Sequence, residues 1–132
     1  MTTRSASCSC GQLSARCEGE PVRISMCHCL ACQRRTGSIF GVQARFPRDR
    51  VVVHGDAREY VRIADSGGKL TFRFCPACGS TVCYELDTMP GLVAVAVGAF
   101  ADPAFPPPAF SVYGARRHPW AAFPELVAEC SE

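Results

Sequence analysis

Short runs of alternating apolar and polar positions, separated by turn residues, dominate the chain. "VVVHG" from Val51 reads as one strand. "REYVRI" from Arg58 reads as the next, with Tyr60 and, less clearly, Arg58 and Arg62 alternating with Glu59, Val61 and Ile63. Because successive side chains of a strand face opposite ways, "LTFRFC" puts Phe72 and Phe74 on one face, and "TVCYEL" puts Val82, Tyr84 and Leu86 on one face. "LVAVAVG" alternates Val93, Val95 and Val97 with the small Ala94 and Ala96, the pattern of a buried strand with one tightly covered face.

Turn chemistry fixes the joints. "DSGG" at Asp65 to Gly68 and "DTMPG" at Asp87 to Gly91 suit hairpin connections. "LACQRRTG" holds helix formers followed by Gly37 and predicts about two helical turns. The prolines of "DPAFPPPAF" can join neither a ladder nor a helix, so that segment is an extended loop. "WAAFPELVAE" reads as a short closing helix. The only recurring motif is the cysteine pair.

A chain of 132 residues with this apolar content reads as a single domain over 1–132. The formal net charge of +2 argues for neither a nucleic-acid nor a membrane partner, since those need a pronounced basic field or tail. "MTTRSASC" lacks the apolar segment of a secretory signal, and no later run is long enough to cross a bilayer. The expected setting is cytoplasmic. There the ten cysteines stay reduced unless a metal or a catalytic cycle claims them.

The cysteines sort by spacing. Cys8 and Cys10 form C-x-C, Cys27, Cys29 and Cys32 form C-x-C-x-x-C, and Cys75 and Cys78 form a C-x-x-C knuckle in "CPACG". The proline and glycine of that knuckle bend the backbone so that both sulfurs converge on one point, the arrangement of a tetrahedral zinc site. Joining Cys8 and Cys10 to Cys75 and Cys78 makes a four-thiolate site and leaves Cys27, Cys29 and Cys32 as a three-thiolate one. The reverse partition strands Cys8 and Cys10 as a two-ligand remnant, so four plus three is preferred. His28 is the tempting eighth ligand, but a backbone that aims both flanking sulfurs at a metal aims His28 elsewhere. A redox dithiol at Cys29 and Cys32 is the competing use of that run.

The ordinary role of a cysteine is a small buried apolar side chain, and that role suits Cys17, Cys83 and Cys130. Cys17 shares its parity with Leu13 and Ala15 on a core face. His28, His54 and His118 read as structural or exposed, and Arg116 and Arg117 as a solvated pair. Arg34 and Arg35 have two readings: a solvated helix face, or cations that offset the cluster's charge and hold an anionic thiol. A zinc held by three thiolates is a poor maker of hydroxide. It is better suited to capturing an incoming thiol and lowering its pKa from about 8.5.

"CSCG", "CHCLACQRRTGSIF", "FCPACGS", "VAVGAFADP" and "RRHPW" together resemble the glutathione-dependent formaldehyde-activating enzyme family, which includes centromere protein V. The resemblance runs from Cys8 to about Trp120. It implies a mainly β, β-tent fold of short antiparallel strands with one or two short helices and zinc knuckles. It also implies two zinc ions per chain: a structural one on Cys8, Cys10, Cys75 and Cys78, and a catalytic one on Cys27, Cys29 and Cys32. The implied reaction is that of a carbon–sulfur lyase joining glutathione to formaldehyde, with a small-molecule thiol and an aldehyde as partners. A zinc-stabilised interaction module without chemistry is the alternative, although the basic extension it would use is missing.

Overall fold

The computed structural model describes residues 1–123 and 128–130, the last three by backbone alone. Among the described residues, eleven strands form two sheets, accompanied by one α-helix. β1 (Thr3–Ser7), β2 (Ser14–Glu18) and β5 (Val51–His54) make an antiparallel sheet in the order β1-β2-β5. The larger sheet takes β3 (Arg23–Cys27), β4 (Gly41–Pro47), β6 (Arg58–Ile63), β7 (Lys69–Phe74), β8 (Thr81–Leu86), β9 (Leu92–Ala96), β10 (Phe110–Val112) and β11 (Ala128–Cys130). Its order is β11-β10-β3-β4-β9-β8-β7-β6. Among the described residues, the parallel pairings are those of β10 with β3 and with β11. The fold is mainly β.

One face of the large sheet packs on the small sheet. Ala6, Ala15 and Cys17 meet Ala44, Phe46, Val93 and Val95 there in a continuous apolar core. Leu13, Ala15 and Cys17 are all buried, as their shared parity predicts. The alternate residues of the same strands face the other way. Ala94 of β9 joins Leu70, Phe72 and Tyr84 in a second cluster on that far side, so the small residues of "LVAVAVG" leave room for aromatic rings.

The hairpins at Asp65–Gly68 and Asp87–Gly91 join β6 to β7 and β8 to β9 as the turn residues predict. The helix α1 (Leu30–Thr36) ends on Gly37, whose φ of 71° is the left-handed cap that glycine adopts without strain.

Two expectations differ. Val82 does not share a face with Tyr84 and Leu86: it packs with Cys83 in the core between the sheets, while Tyr84 and Leu86 lie on the far side. The cause is a bulge, since Phe74 pairs with Thr81 but Arg73 pairs with Cys83, which leaves Val82 as the extra residue and reverses the face on which it lies. The closing helix falls partly on residues 124–127, outside the described residues. Ala128 and Glu129, where it would end, belong to β11, and the side chain of Cys130 also lies outside the description.

Candidate metal centres and their cavity

The loop after β1 carries Cys8 and Cys10, and the loop between β7 and β8 carries Cys75 and Cys78. Their four sulfurs all lie within 4.8 Å of one another. The Sγ atoms of Cys8 and Cys10 are 3.7 Å apart, as are those of Cys10 and Cys75. Bonds of about 2.3 Å to a tetrahedral zinc imply sulfurs about 3.8 Å apart, so the spacing fits that metal.

The surrounding donors fit thiolates. Leu13 N–H donates to Cys8 Sγ at 3.3 Å, Ala77 N–H to Cys75 Sγ at 3.3 Å, and the Gln12 side-chain amide to Cys75 Sγ at 3.1 Å. The Cys78 thiol is pulled down to about 5, chiefly by the backbone N–H of Ser80.

Cys27 closes β3, Cys29 is the N-cap of α1, and Cys32 lies in its first turn. The Cys29 sulfur accepts from Cys32 N–H at 3.3 Å, so the cap that starts the helix also fixes the spacing of the pair. The three sulfurs lie within 4.8 Å of one another, and no other His, Cys, Asp or Glu joins them among the described residues. Gly41, paired with Cys27, lets the helix sit close: a Cβ there would meet Arg35 Nη2 at 3.1 Å and Cys32 Cβ at 3.7 Å. Hydrogen bonds from Cys27 and then Cys32 pull the Cys29 thiol down to about 2, and donating to Cys29 pushes Cys27 up. Three sulfurs that stabilise a thiolate among themselves are a donor set a thiophilic divalent metal would use.

His28 points away from this cluster. It is fully buried, its Nε2 lies 2.9 Å from Ser111 Oγ, and its ring packs on Phe40 and Phe123 at 5.9 and 5.4 Å. His54 is exposed, and His118 Nε2 lies 2.9 Å from Gln33 Oε1, which ties α1 to the "RRHPW" segment. Arg34 and Arg35 part company. Arg34 is exposed at the cavity rim, whereas Arg35 reaches Cys32 Sγ at 3.9 Å and lies over the rings of Phe72 and Tyr84 at 5.0 and 5.3 Å. Arg116 is exposed and lines the same cavity; Arg117 is exposed.

The three-cysteine cluster opens into a cavity of about 580 Å³ on the far side of the large sheet. Arg23, Arg34, Arg45, Arg62 and Arg116 line it, against Asp65 as the one carboxylate among the described residues. Tyr84 stands in the wall with its phenol pushed up by burial. Tyr113, beside the cysteines, takes a φ of 55°, a left-handed backbone that costs a bulky residue energy and marks a constrained position.

Sequence reasoning missed Ser25, Gln43, Arg45, Arg62 and Tyr84 as cavity residues. The signal was available in "RISMC" and "VQARF", where Ser25, Gln43 and Arg45 alternate with Ile24, Met26, Ala44 and Phe46.

A family model described as glutathione-dependent formaldehyde-activating enzyme matches residues 3–116. The chain belongs to the glutathione-dependent formaldehyde-activating enzyme family. Both cysteine clusters and all of the cavity-lining residues fall inside the matched span of this family member. A crystal structure of a Rhodobacter sphaeroides protein is similar at 19% identity and a TM-score of 0.59, covering 78% of this chain and 91% of that one, which supports the fold. No curated protein matches the chain. No helix among the described residues is long and apolar enough to cross a membrane.

Proposed function

We propose that this protein adds a small thiol such as glutathione to a small aldehyde such as formaldehyde, and that in the cleavage direction it is a carbon–sulfur lyase. One observation carries the reading: Cys27, Cys29 and Cys32 converge at the wall of the arginine-lined cavity with no fourth donor from the described residues. A zinc held by these three sulfurs would supply the Lewis acidity that converts an incoming thiol to a thiolate at neutral pH.

In the addition, the thiolate sulfur donates a pair to the carbonyl carbon, the carbon–sulfur bond forms, and the carbonyl π pair moves to oxygen, which takes a proton from water to match the one the thiol released. The chain's own residues serve the two charges. Arg35 stands next to Cys32 and offsets the negative charge of three thiolates. Tyr84, buried in the wall and held protonated, offers a hydroxyl to the developing oxygen anion. Cys8, Cys10, Cys75 and Cys78 would hold a second zinc, which would staple the two loops together. Chemistry that needs reduced thiols suits a cytoplasmic setting.

The test is to mix purified, zinc-loaded protein with glutathione and formaldehyde and to follow adduct formation by exchange-sensitive NMR. Faster exchange than in the protein-free mixture is expected. Equal rates would remove this substrate pair.

A further inference from the structure

β6 is the outermost strand of the large sheet, paired with β7 on one side and with no strand on the other among the described residues. Its sequence "REYVRI" leaves three large apolar side chains in the open: Tyr60 at 59%, Val61 at 47% and Ile63 at 63% exposure. A free edge is commonly blunted by a proline or a bulge, and β6 has neither, since it pairs with β7 in regular register along its whole length. Only its charges, on Arg58, Glu59 and Arg62, limit what can add to it.

The backbone groups that face outward can be assigned. Ala64 N–H donates to the Gly68 carbonyl at 2.7 Å, toward β7, whereas Lys69 N–H and C=O are both engaged by Asp87, so its β6 partner Ile63 faces outward. Antiparallel ladders alternate, so Arg58, Tyr60 and Arg62 bond to β7 while Glu59, Val61 and Ile63 present their N–H and C=O groups at the edge.

Opposite residues of an antiparallel pair share a face, so a strand that meets a second copy of itself across a two-fold axis sets residues of equal parity opposite each other. Charge then selects the register. Centred on Val61, the pairing sets Val61 against the partner's Val61, Tyr60 against the partner's Arg62, Glu59 against the partner's Ile63, and Arg58 against the partner's Ala64. Centred on Tyr60, it sets Arg58 against the partner's Arg62. Centred on Arg62, it opposes the two Arg62 side chains and sets Glu59 against the partner's Asp65. Like charges directly opposite are destabilising. Registers centred farther out leave half of the strand or less paired. The Val61 register avoids every such clash, lays a guanidinium against a phenol ring twice, and engages the outward groups in about six hydrogen bonds between the copies.

We infer that β6 is the seam of a two-fold symmetric dimer of this chain, with Val61 on the axis and the large sheets of the two copies joined into one. Arg62 lines the cavity and lies over the Phe72 ring, so the seam runs along the cavity wall and the partner's Tyr60 braces a cavity residue. The axis is perpendicular to the sheet, so both cavities open on the same side. The seam rests on the edge strand and not on the thiol chemistry.

The test is sedimentation equilibrium of the zinc-loaded full chain under reducing conditions, over a dilution series. Wild type is expected to be dimeric at about 100 μM, and Ile63→Glu, which opposes the partner's Glu59, to weaken the dimer at least about 10-fold. Within one copy residue 63 pairs with Lys69, so Ile63→Glu should melt no lower than wild type in dilute solution, which separates loss of the dimer from loss of the fold. Adding Glu59→Lys to Ile63→Glu should restore association, since residues 59 and 63 then carry opposite charges across the seam. Val61→Pro removes an outward N–H and no β6–β7 hydrogen bond, and should also give monomers. A monomeric wild type at about 100 μM, a dimer indifferent to both Ile63→Glu and Val61→Pro, or a double variant that does not reassociate overturns the seam.

Discussion

The side-chain amide of Gln12 donates to the sulfur of Cys75 at 3.1 Å, joining the β1–β2 loop to the β7–β8 loop. The same amide group exchanges two hydrogen bonds with the backbone of Asp56, its Nε2 with the carbonyl at 2.5 Å and its Oε1 with the N–H at 2.9 Å. Gln12→Leu removes a hydrogen bond that helps pull the Cys75 thiol down, so we expect a loss of stability in chemical denaturation. A metal bound at the four-cysteine cluster should also leave faster when chelator is added. Gly55→Ala should act in the same direction, because a Cβ there would lie 1.8 Å from the Gln12 carbonyl oxygen and the φ of 99° suits only glycine.

The two clusters are expected to fail differently. On the proposed assignment, Cys75→Ser takes a ligand from a site that joins distant loops, where metal affinity would be folding energy. The variant should be insoluble or should melt well below wild type. Cys27→Ser changes a site at the edge of the cavity, so the protein should fold with one zinc instead of two and lose thiol-dependent activity. Metal content by emission spectroscopy, together with the melting temperature, decides the matter. Identical behaviour of the two variants would refute the division of roles.

The thiols of the open cluster also predict an order of reactivity after chelation. Cys29, pulled down to about 2 by Cys27 and Cys32, is a thiolate throughout the neutral range, so its alkylation rate should be flat from pH 6 to 9. Cys27 is pushed up as the donor to Cys29 and should react slowly at every pH in that window. The sign follows from the direction of each shift: a lowered thiol is already ionised at neutral pH, and a raised one is not. Peptide mass spectrometry of a timed iodoacetamide reaction reads both. A Cys29 rate that climbs steeply with pH would contradict the hydrogen-bonding pattern.

How much of this was legible along the chain depended on how local each feature is. The helix stop at Gly37, the hairpins at Asp65–Gly68 and Asp87–Gly91, and the strand at Arg58–Ile63 are set by residues next to one another, and all stand where the pattern puts them. The grouping of the seven clustered cysteines was legible because C-x-C and C-x-x-C spacings constrain the backbone directly. The bulge at Val82 was not, because it is a property of the pairing between β7 and β8 and leaves no mark in "TVCYEL". The cavity floor escaped for a related reason. Ser25 and Gln43 are separated by 18 residues, and only the β3–β4 register brings these two ordinary polar residues side by side.

Arg35 and not Arg34 is the member of the "RR" pair placed against the three-cysteine cluster, since only its guanidinium reaches both the Cys32 sulfur and the faces of Phe72 and Tyr84. Lysine keeps the charge but cannot lie flat on two rings while directing a donor at a sulfur, because an ammonium is a compact, strongly hydrated point charge on a flexible stem. Stacking of this kind contributes about 0.5 to 2 kcal/mol, which corresponds to a drop of roughly 2- to 30-fold if it is spent on holding the thiol site. We therefore expect Arg35→Lys to fold with both zinc ions and to show a lower kcat/KM for glutathione. Arg35→Ala should fall further, because the three thiolates then lose their neighbouring positive charge. Steady-state kinetics with metal analysis of the same samples provides the check. If lysine proves as good as arginine, charge alone would be sufficient, and the contact with Phe72 and Tyr84 would be packing without a part in the chemistry.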